Sequence, residues 1–347
     1  MKALVYEGPG KKGLREVEKP EIIKDSDAIV RLVKTTICGT DLHILSGDVP
    51  AVKEGTILGH EGVGIVEEVG SGVKNFKPGD KVIISCITSC GSCHYCKQSL
   101  YAHCEDGGWI LGHLINGTQA EYVRIPHADN SLYHIPKGIS DQAAVLISDI
   151  LPTGFEIGVL NGQVKPGDTV AIIGAGPIGM SALITSQFYS PGKIIMVDLD
   201  DNRLEASKKF GATDTVNSQN AESAIQQILE LTDGRGVDVA IEAAGFPATF
   251  DICQKILAPG GHLANVGVHG KPVELELQNL WIQNVTITTG LVSTSSTPML
   301  LKTLSSGKIK VEELVTHAFK FENILDAYDT FQNASKEKAL KVIIDFE

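Results

Sequence analysis

Five of the seven cysteines fall between Cys86 and Cys104, and four of them share one short loop: Cys90-x2-Cys93-x2-Cys96-x7-Cys104. Four thiols on one short loop suit a closed structural zinc site, where thiolates surround the metal at about 2.3 Å and leave no open position. Gly91 and Ser92 permit the turn between the first two ligands. Iron–sulfur clusters also use closely spaced cysteines, but a 2-2-7 spacing does not match the ferredoxin patterns. Unligated reduced thiols are the plain alternative. A second set is scattered: Cys38-Gly-Thr40-Asp41-Leu-His43 follows one apolar run, and Gly59-His60-Glu61 follows another. Thiol, imidazole and carboxylate together suit a catalytic zinc that keeps a position for substrate, provided a fold gathers them. On spacing alone, a structural Cys and His is an equal reading. Cys86 and Cys253 sit in apolar runs and read as buried small hydrophobes.

A third constellation is Gly174-x-Gly176-x-x-Gly179, lying between a buried strand and a helix. Gly174 permits the tight turn, Gly176 lets backbone approach a pyrophosphate, and Gly179 lets helix pack on strand. The helix opens with Pro177 and Ile178, and its free N–H groups face the phosphates. Asp198, 19 residues past Gly179, ends the next strand. A carboxylate there accepts from ribose hydroxyls and repels a 2′-phosphate, which favours NAD over NADP. Arg203 is placed to pack on the adenine or to be an exposed helix charge. The ordinary alternative is a simple strand-to-helix turn with an ordinary strand end.

These residues need elements to hold them. The stretch 57–72, with alternating apolar positions and repeated glycine, predicts short antiparallel strands, and Lys81–Ser85 predicts another after the turn at 76–80. Residues 1 to about 150 read as mostly β. From there strand and helix alternate: strands at 168–173, 193–198, to about 216, and 237–242; helices at 180–189, 202–210 and 221–232. Apolar strands without polar alternation are buried on both faces, the mark of a doubly wound parallel sheet. Helices at 298–306 and 324–335 and a strand at 339–346 complete the chain. The expected fold is α/β, with a mostly-β part to about residue 150 and a doubly wound part after it.

At 347 residues the chain is long enough for two domains. Thirty Lys+Arg against 42 Asp+Glu give a net charge of −12, with no basic cluster, which excludes nucleic acid and anionic membrane as natural partners. No apolar run approaches the roughly 18 residues of a membrane span, and Met1–Glu7 has no signal-peptide h-region. An odd cysteine count in such a chain argues against a disulfide framework and for a cytoplasmic protein.

Taken together, Cys38–His43, Gly59-His60-Glu61, the four-cysteine loop and Gly174–Gly179, in this order, resemble the zinc-dependent alcohol dehydrogenases of the medium-chain dehydrogenase/reductase superfamily over essentially the whole chain. The resemblance implies a GroES-like mostly-β catalytic zinc domain of residues 1–150 plus 292–347, a Rossmann NAD-binding domain of 151–291, two Zn2+ per subunit (one catalytic, one structural) and NAD(H). It implies Cys38 and His60 as catalytic zinc ligands and Glu61 as an exchangeable ligand that swaps with water. Asp41 would orient the ligating imidazole, Thr40 would take the proton of the alcohol, and His43 would end the relay to solvent. Thr153 would lie beside the nicotinamide. Lys341 matches a basic residue reaching the pyrophosphate, or is a solvated charge in the last strand. The chain departs from many members in one respect. The segment Leu146-Ile-Ser-Asp149-Ile-Leu-Pro-Thr153-Gly154 has no cysteine, and Asp149 matches the branch in which aspartate ligates, as in bacterial secondary-alcohol dehydrogenases. Trp109 resembles that branch too, whereas the four structural cysteines and Asp198 do not, so primary and secondary alcohols both stand.

The implied reaction forms a zinc alkoxide, passes the proton through Thr40 and His43, and transfers hydride to the nicotinamide. The substrate is a small-molecule alcohol, with its aldehyde or ketone in reverse, in a pocket lined partly by Trp109, Ile87 and Leu291 in a cleft between the domains. Formaldehyde, polyol or threonine dehydrogenase are alternatives within the family, and a non-catalytic nucleotide-binding relative is one outside it. The resemblance further implies a homo-oligomer, a tetramer ahead of a dimer, pairing through the β-branched run 285–292.

Overall fold

The structure, a computed structural model, describes residues 1–346. Its strands run in chain order as β1 (Lys2–Tyr6), β2 (Lys12–Glu16), β3 (Ala28–Ile37), β4 (Gly62–Val69), β5 (Lys81–Ile84), β6 (Tyr122–Ile125) and β7 (Leu132–His134). Then follow β8 (Thr169–Ile173), β9 (Lys193–Asp198), β10 (Asp214–Asn217), β11 (Val237–Glu242), β12 (Leu257–Asn265), β13 (Thr286–Thr289), β14 (Val315–Lys320) and β15 (Lys341–Asp345). The chain divides into two compact units. One is Met1–Asp149 with Ser293–Glu347, and the other is Ile150–Val292.

The first unit is built on a seven-stranded sheet in the order β14-β15-β3-β4-β5-β7, with β6 also on β3; β1 and β2 form a separate hairpin. One cluster packs Val30, Leu32, Val66, Val82 and Ile84, and another packs Leu4, Ile37, Ile44, Tyr328 and Val342. Sheet register decides where chemistry falls. β3 pairs antiparallel with β4 (Thr35 opposite Gly62) and with β15 (Val342 opposite Ile37), and β4 pairs antiparallel with β5 (Gly62 opposite Ile84). The C-terminal ends of β3 and β5 and the N-terminal ends of β4 and β15 therefore share one end of the sheet. Cys38 follows β3, His60 and Glu61 precede β4, Cys86 follows β5, and Lys341 begins β15.

The second unit is a six-stranded parallel sheet in the order β10-β9-β8-β11-β12-β13, which is doubly wound about β8. β8 and β9 are buried along nearly their whole length, as unalternating Thr-Val-Ala-Ile-Ile and Lys-Ile-Ile-Met-Val-Asp require. Cys253 is fully buried in the core here with Ile173, Val197 and Ile228. Asp200 and Asn220 cap the helices Asp201–Lys209 and Ala221–Leu231, their side chains accepting from Asn202 N and Ser223 N. The helix expected at 180–189 begins earlier, at Pro177, and its last turn tightens to a 3-10 turn at Gln187–Tyr189. One element has no counterpart in the sequence reading: a π-helix at Gly154–Leu160. Gly154 and Gly158 lie on its packed face, and Gly162 follows its end at the same spacing of four. A Cβ at Gly154 would meet Ala182 N at 2.7 Å, and one at Gly158 would meet the Ile241 side chain at 3.2 Å.

Candidate functional site

The end of the seven-stranded sheet gathers a thiol, an imidazole and two carboxylates. One donor atom from each of Cys38, His60, Glu61 and Asp149 lies within 4.8 Å of every other. Cys38 is the N-cap of the helix Gly39–Leu45, and its backbone N–H donates to Asp41 Oδ2 at 2.9 Å. Glu61 is fixed through its carbonyl, which accepts from Thr35 Oγ1 (2.7 Å) and Thr118 Oγ1 (2.8 Å). Asp149 arrives from a segment sewn to the sheet. Gly62 N donates to Ser148 Oγ at 3.2 Å, and Cys86 N donates to Ser148 O at 3.0 Å. Asp149 Oδ2 then stands 3.5 Å from His60 Nε2 and 3.8 Å from Cys38 Sγ. Thr40 Oγ1 is 3.7 Å from the same sulfur, and His43, half exposed in the last turn of that helix, sets Nδ1 3.0 Å from Asp48 Oδ2.

The electrostatics follow from burial and charge. Burial penalises the His60 imidazolium, but the Asp149 carboxylate and Cys38 outweigh it and hold that imidazole well above its ordinary value. Burial raises the Glu61 carboxyl against the opposing pull of Lys341. Burial likewise pushes the Cys86 thiol well up, with the Asp149 and Glu61 carboxylates adding to it.

The second thiol cluster, Cys90, Cys93, Cys96 and Cys104, also has its sulfurs mutually within 4.8 Å. Two 3-10 turns, Cys96–Gln98 and Tyr101–His103, fold the loop, and Gly91 takes the left-handed φ of +72° that the turn requires. Backbone N–H groups point at sulfur: Cys93 N to Cys90 Sγ at 3.3 Å, Cys90 N to Cys104 Sγ at 3.2 Å. Burial works against the Cys90 thiolate, yet the N–H and O–H donors of Ser92 and Cys93 bring its pKa down to about 6. All seven cysteines are free.

In the second unit each glycine of the turn has a distinct surrounding. Gly174 has φ +108°, a Cβ on Gly179 would collide with Gly174 O, and a Cβ on Gly176 would meet nothing nearer than Arg203 Nη1 at 4.0 Å. That open space over Gly176, at the N-cap of the helix Pro177–Ser186, is where a phosphate has room. Ile178 sits in the first turn of that helix, and Thr153 precedes the π-helix. Asp198 ties the turn to the strand end, accepting from Ala175 N (2.6 Å, Oδ2) and Asp200 N (2.9 Å, Oδ1).

The comparisons with known proteins agree with this geometry. Residues 24–137 match the model of the alcohol dehydrogenase GroES-like domain, and residues 177–306 match that of the zinc-binding dehydrogenases. An alcohol dehydrogenase of Cupriavidus necator is 36% identical, covering 99% of this chain and 98% of its own. The NADP-dependent isopropanol dehydrogenase of Thermoanaerobacter brockii is 35% identical, covering 99% of each. Among solved structures, zinc dependent alcohol dehydrogenase 2 from Streptococcus pneumonia, in its apo form, superposes with a TM-score of 0.96 at 63% identity over 99% of this chain and 98% of that one. The chain belongs to the zinc-dependent alcohol dehydrogenases of the medium-chain superfamily. It is an oxidoreductase of that family, with zinc and a nicotinamide cofactor as its expected groups.

The donor set of this alcohol dehydrogenase fits zinc. One soft thiolate, one imidazole and hard carboxylate oxygen make a mixed set of the kind that borderline zinc takes in catalytic sites. Glu61 Oε2 is buried with no hydrogen-bond partner, as a ligand atom in a metal-free site would be. No helix among the described residues is long and apolar enough to cross a membrane.

Several residues stand elsewhere than the sequence implied. Lys341 is not a solvated charge in the last strand. Lys341 and Glu61 are each 1% exposed, and Lys341 Nζ lies 2.6 Å from Glu61 Oε1. The cause is β15 pairing beside β3. Asp41 makes no hydrogen bond to the His60 ring. Oδ2 is taken by Cys38 N and by Gln119 Nε2 (3.1 Å), and Oδ1 has no partner, so its hold on His60 is through charge. Cys86 is no mere small hydrophobe in apolar surroundings, since its sulfur is 3.5 Å from Asp149 Oδ1. Ile87 is 2% exposed and Leu291 44% exposed. Trp109 stacks on His113 at 4.2 Å between centroids. Arg203 directs Nη1 toward Gly176, the phosphate end of the turn, while its Nε is buried without a partner. Gln119 and Tyr328 were not foreseen. Tyr328 Oη donates to Gln119 Oε1 at 2.8 Å, and Gln119 in turn holds Asp41. Nothing local in the sequence marks either residue.

Proposed function

We propose that this chain oxidises primary or secondary alcohols to aldehydes or ketones, and runs the reverse, with NAD(H) and two zinc ions. The observation that carries this is the meeting of Cys38, His60, Glu61 and Asp149 at one end of the sheet. Cys38, His60 and Asp149 would hold the catalytic zinc, with Glu61 as the exchangeable fourth, and the four-thiol loop would hold the other. The catalytic zinc would supply Lewis acidity to the substrate oxygen, and the nicotinamide would accept hydride. The chain's own residues do the positioning and the proton work. Thr40 Oγ1, beside the Cys38 sulfur, takes the hydroxyl proton of the alcohol. His43, with Nδ1 donating to Asp48, keeps Nε2 for exchange with solvent. The open space above Gly176 and the N–H groups of Pro177–Ser186 seat the pyrophosphate, with Ile178 in that first turn, Arg203 nearby and Thr153 toward the nicotinamide.

The NAD preference rests on Asp198. Its carboxylate is fixed by two backbone N–H groups at the end of β9, so a 2′-phosphate brought to that strand end would meet a negative charge that cannot swing away. The isopropanol dehydrogenases of Thermoanaerobacter brockii and Clostridium beijerinckii are named NADP-dependent, which makes NADP the second reading. Free cysteines throughout support a cytoplasmic setting. A homo-oligomer, tetrameric before dimeric, is supported by β13 lying at the sheet edge with Trp281 and Ile282 about two-thirds exposed. The test is initial rates across primary, secondary and polyhydroxylated alcohols, with NAD and with NADP, on zinc-replete protein. Turnover of simple alcohols with NAD and little with NADP is expected. Equal or better rates with NADP would overturn the Asp198 argument, and no turnover of any alcohol would overturn the substrate reading.

A further inference from the structure

We propose that Cys86 is a positioning residue for the metal centre: its thiol donates to Asp149 Oδ1 and turns the other oxygen, Oδ2, toward Cys38 and His60. The inference rests on the reading that Asp149 ligates the metal. Its ground is the placement of Cys86 at both ends of one short connection. The Cys86 backbone N–H donates to Ser148 O at 3.0 Å, and the Cys86 sulfur lies 3.5 Å from Asp149 Oδ1. Register puts it there, since β5 pairs with β4 through Ile84 opposite Gly62 and Cys86 follows two residues beyond that pair. The two oxygens of Asp149 thus face different partners: Oδ1 the Cys86 sulfur, Oδ2 His60 Nε2 at 3.5 Å and Cys38 Sγ at 3.8 Å. An ionised carboxylate only accepts, so a bond between this pair has sulfur as the donor.

Cys86 is not itself one of the ligands. The four side chains whose donor atoms all fall within 4.8 Å of one another do not include it. It is buried, as is Asp149. A carboxylate with both oxygens unrestrained could approach a metal with either or both; a donor on Oδ1 reserves Oδ2. Outer hydrogen bonds to ligating groups are worth about 10–100-fold in metal affinity when removed.

The test separates a donor from a space-filler, because the thiol lies between serine and valine in character. The four-thiol loop of the full chain is first filled with zinc. Cobalt(II) is then titrated into the second site, and affinity is read from its d–d bands and by chelator competition. Cys86→Val is expected to weaken cobalt binding by about 10–100-fold and to shift the bands, whereas Cys86→Ser stays within about threefold of the parent chain. The thermal midpoint of the metal-free protein controls for folding, and Cys86→Ala, with the same expectation as valine, serves if valine does not fold. Binding by Cys86→Val equal to the parent, or serine and valine weakening equally, would overturn the inference. Asp149→Asn marks the underlying reading. If it leaves cobalt affinity unchanged, Asp149 is no ligand and both fall; if it weakens binding while Cys86→Val does not, only the role of Cys86 falls.

Discussion

At the scale of single residues, the site is defined by where charges are forced to meet. Lys341 and Glu61 are fully buried against one another, and a buried pair is most sensitive to losing one member. In the metal-free chain, Lys341→Met leaves the Glu61 carboxylate buried and unpaired, and we expect a loss of about 3–5 kcal/mol in urea unfolding, mostly recovered in the double variant with Glu61→Gln. A small loss in the single variant would show that Glu61 finds another partner. Cys38, His60 and Glu61 were legible because their types carry ligand chemistry wherever they fall, and Asp149 was legible only through the family resemblance. Lys341 was not. It sits 280 residues from Glu61, and a lysine at a strand start has no signal that tells an ion pair from a solvated charge. Cys86 was misread for a related reason. An apolar neighbourhood in sequence says nothing of a carboxylate brought in by another segment.

At the scale of elements, the apolar runs at 81–85, 168–173, 193–198, 237–242 and 339–346 gave their strands to within a residue or two, because burial on one face or both leaves its period in the sequence. The π-helix at Gly154–Leu160 left no such period. Its Gly154, Gly158, Gly162 spacing was the available sign, a small-residue face for close packing. The Gly-rich turn allows a sharper check, since its glycines do different work. Gly176 has ordinary extended backbone and space above it, so Gly176→Ala should fold normally. That variant should nevertheless weaken NAD binding at least about tenfold, or ~1.4 kcal/mol. Gly179→Ala drives a Cβ into the carbonyl of Gly174 and should cost about 1–3 kcal/mol of stability by overpacking. Calorimetric titration with NAD and denaturant midpoints on both variants decide this. Equal effects of the two on stability would contradict the assignment.

For the whole molecule, buried titratable groups set how stability responds to alkali. Burial holds the Tyr328 hydroxyl well above its ordinary value of about 10, and Glu61 and its neighbours outweigh the burial of Lys341 to raise it too. The folded chain therefore keeps protons that the unfolded chain gives up, and stability, complete below pH of about 10, falls as pH rises beyond it. Tyr328→Phe, which loses the bond to Gln119 at a cost of about 1 kcal/mol near neutrality, should flatten that fall. Urea midpoints at neutral and alkaline pH measure it, and an unchanged slope would exclude Tyr328 as a contributor. The split of the first unit into residues 1–149 and 293–347 has a consequence in time. The second unit is one continuous stretch and has all its strands as soon as residue 292 is made. The sheet whose end gathers Cys38, His60, Glu61 and Asp149 does not, because β15 must still be laid along β3. At about 5–20 residues per second, the open edge of β3 and the unpartnered Glu61 wait some 10–40 s after residue 149 for Lys341–Asp345 to be synthesised. For about the last 3–11 s of that wait a nascent chain carries a finished nucleotide-binding unit and an unfinished sheet, and Glu61 gains its buried cation only when β15 slides in.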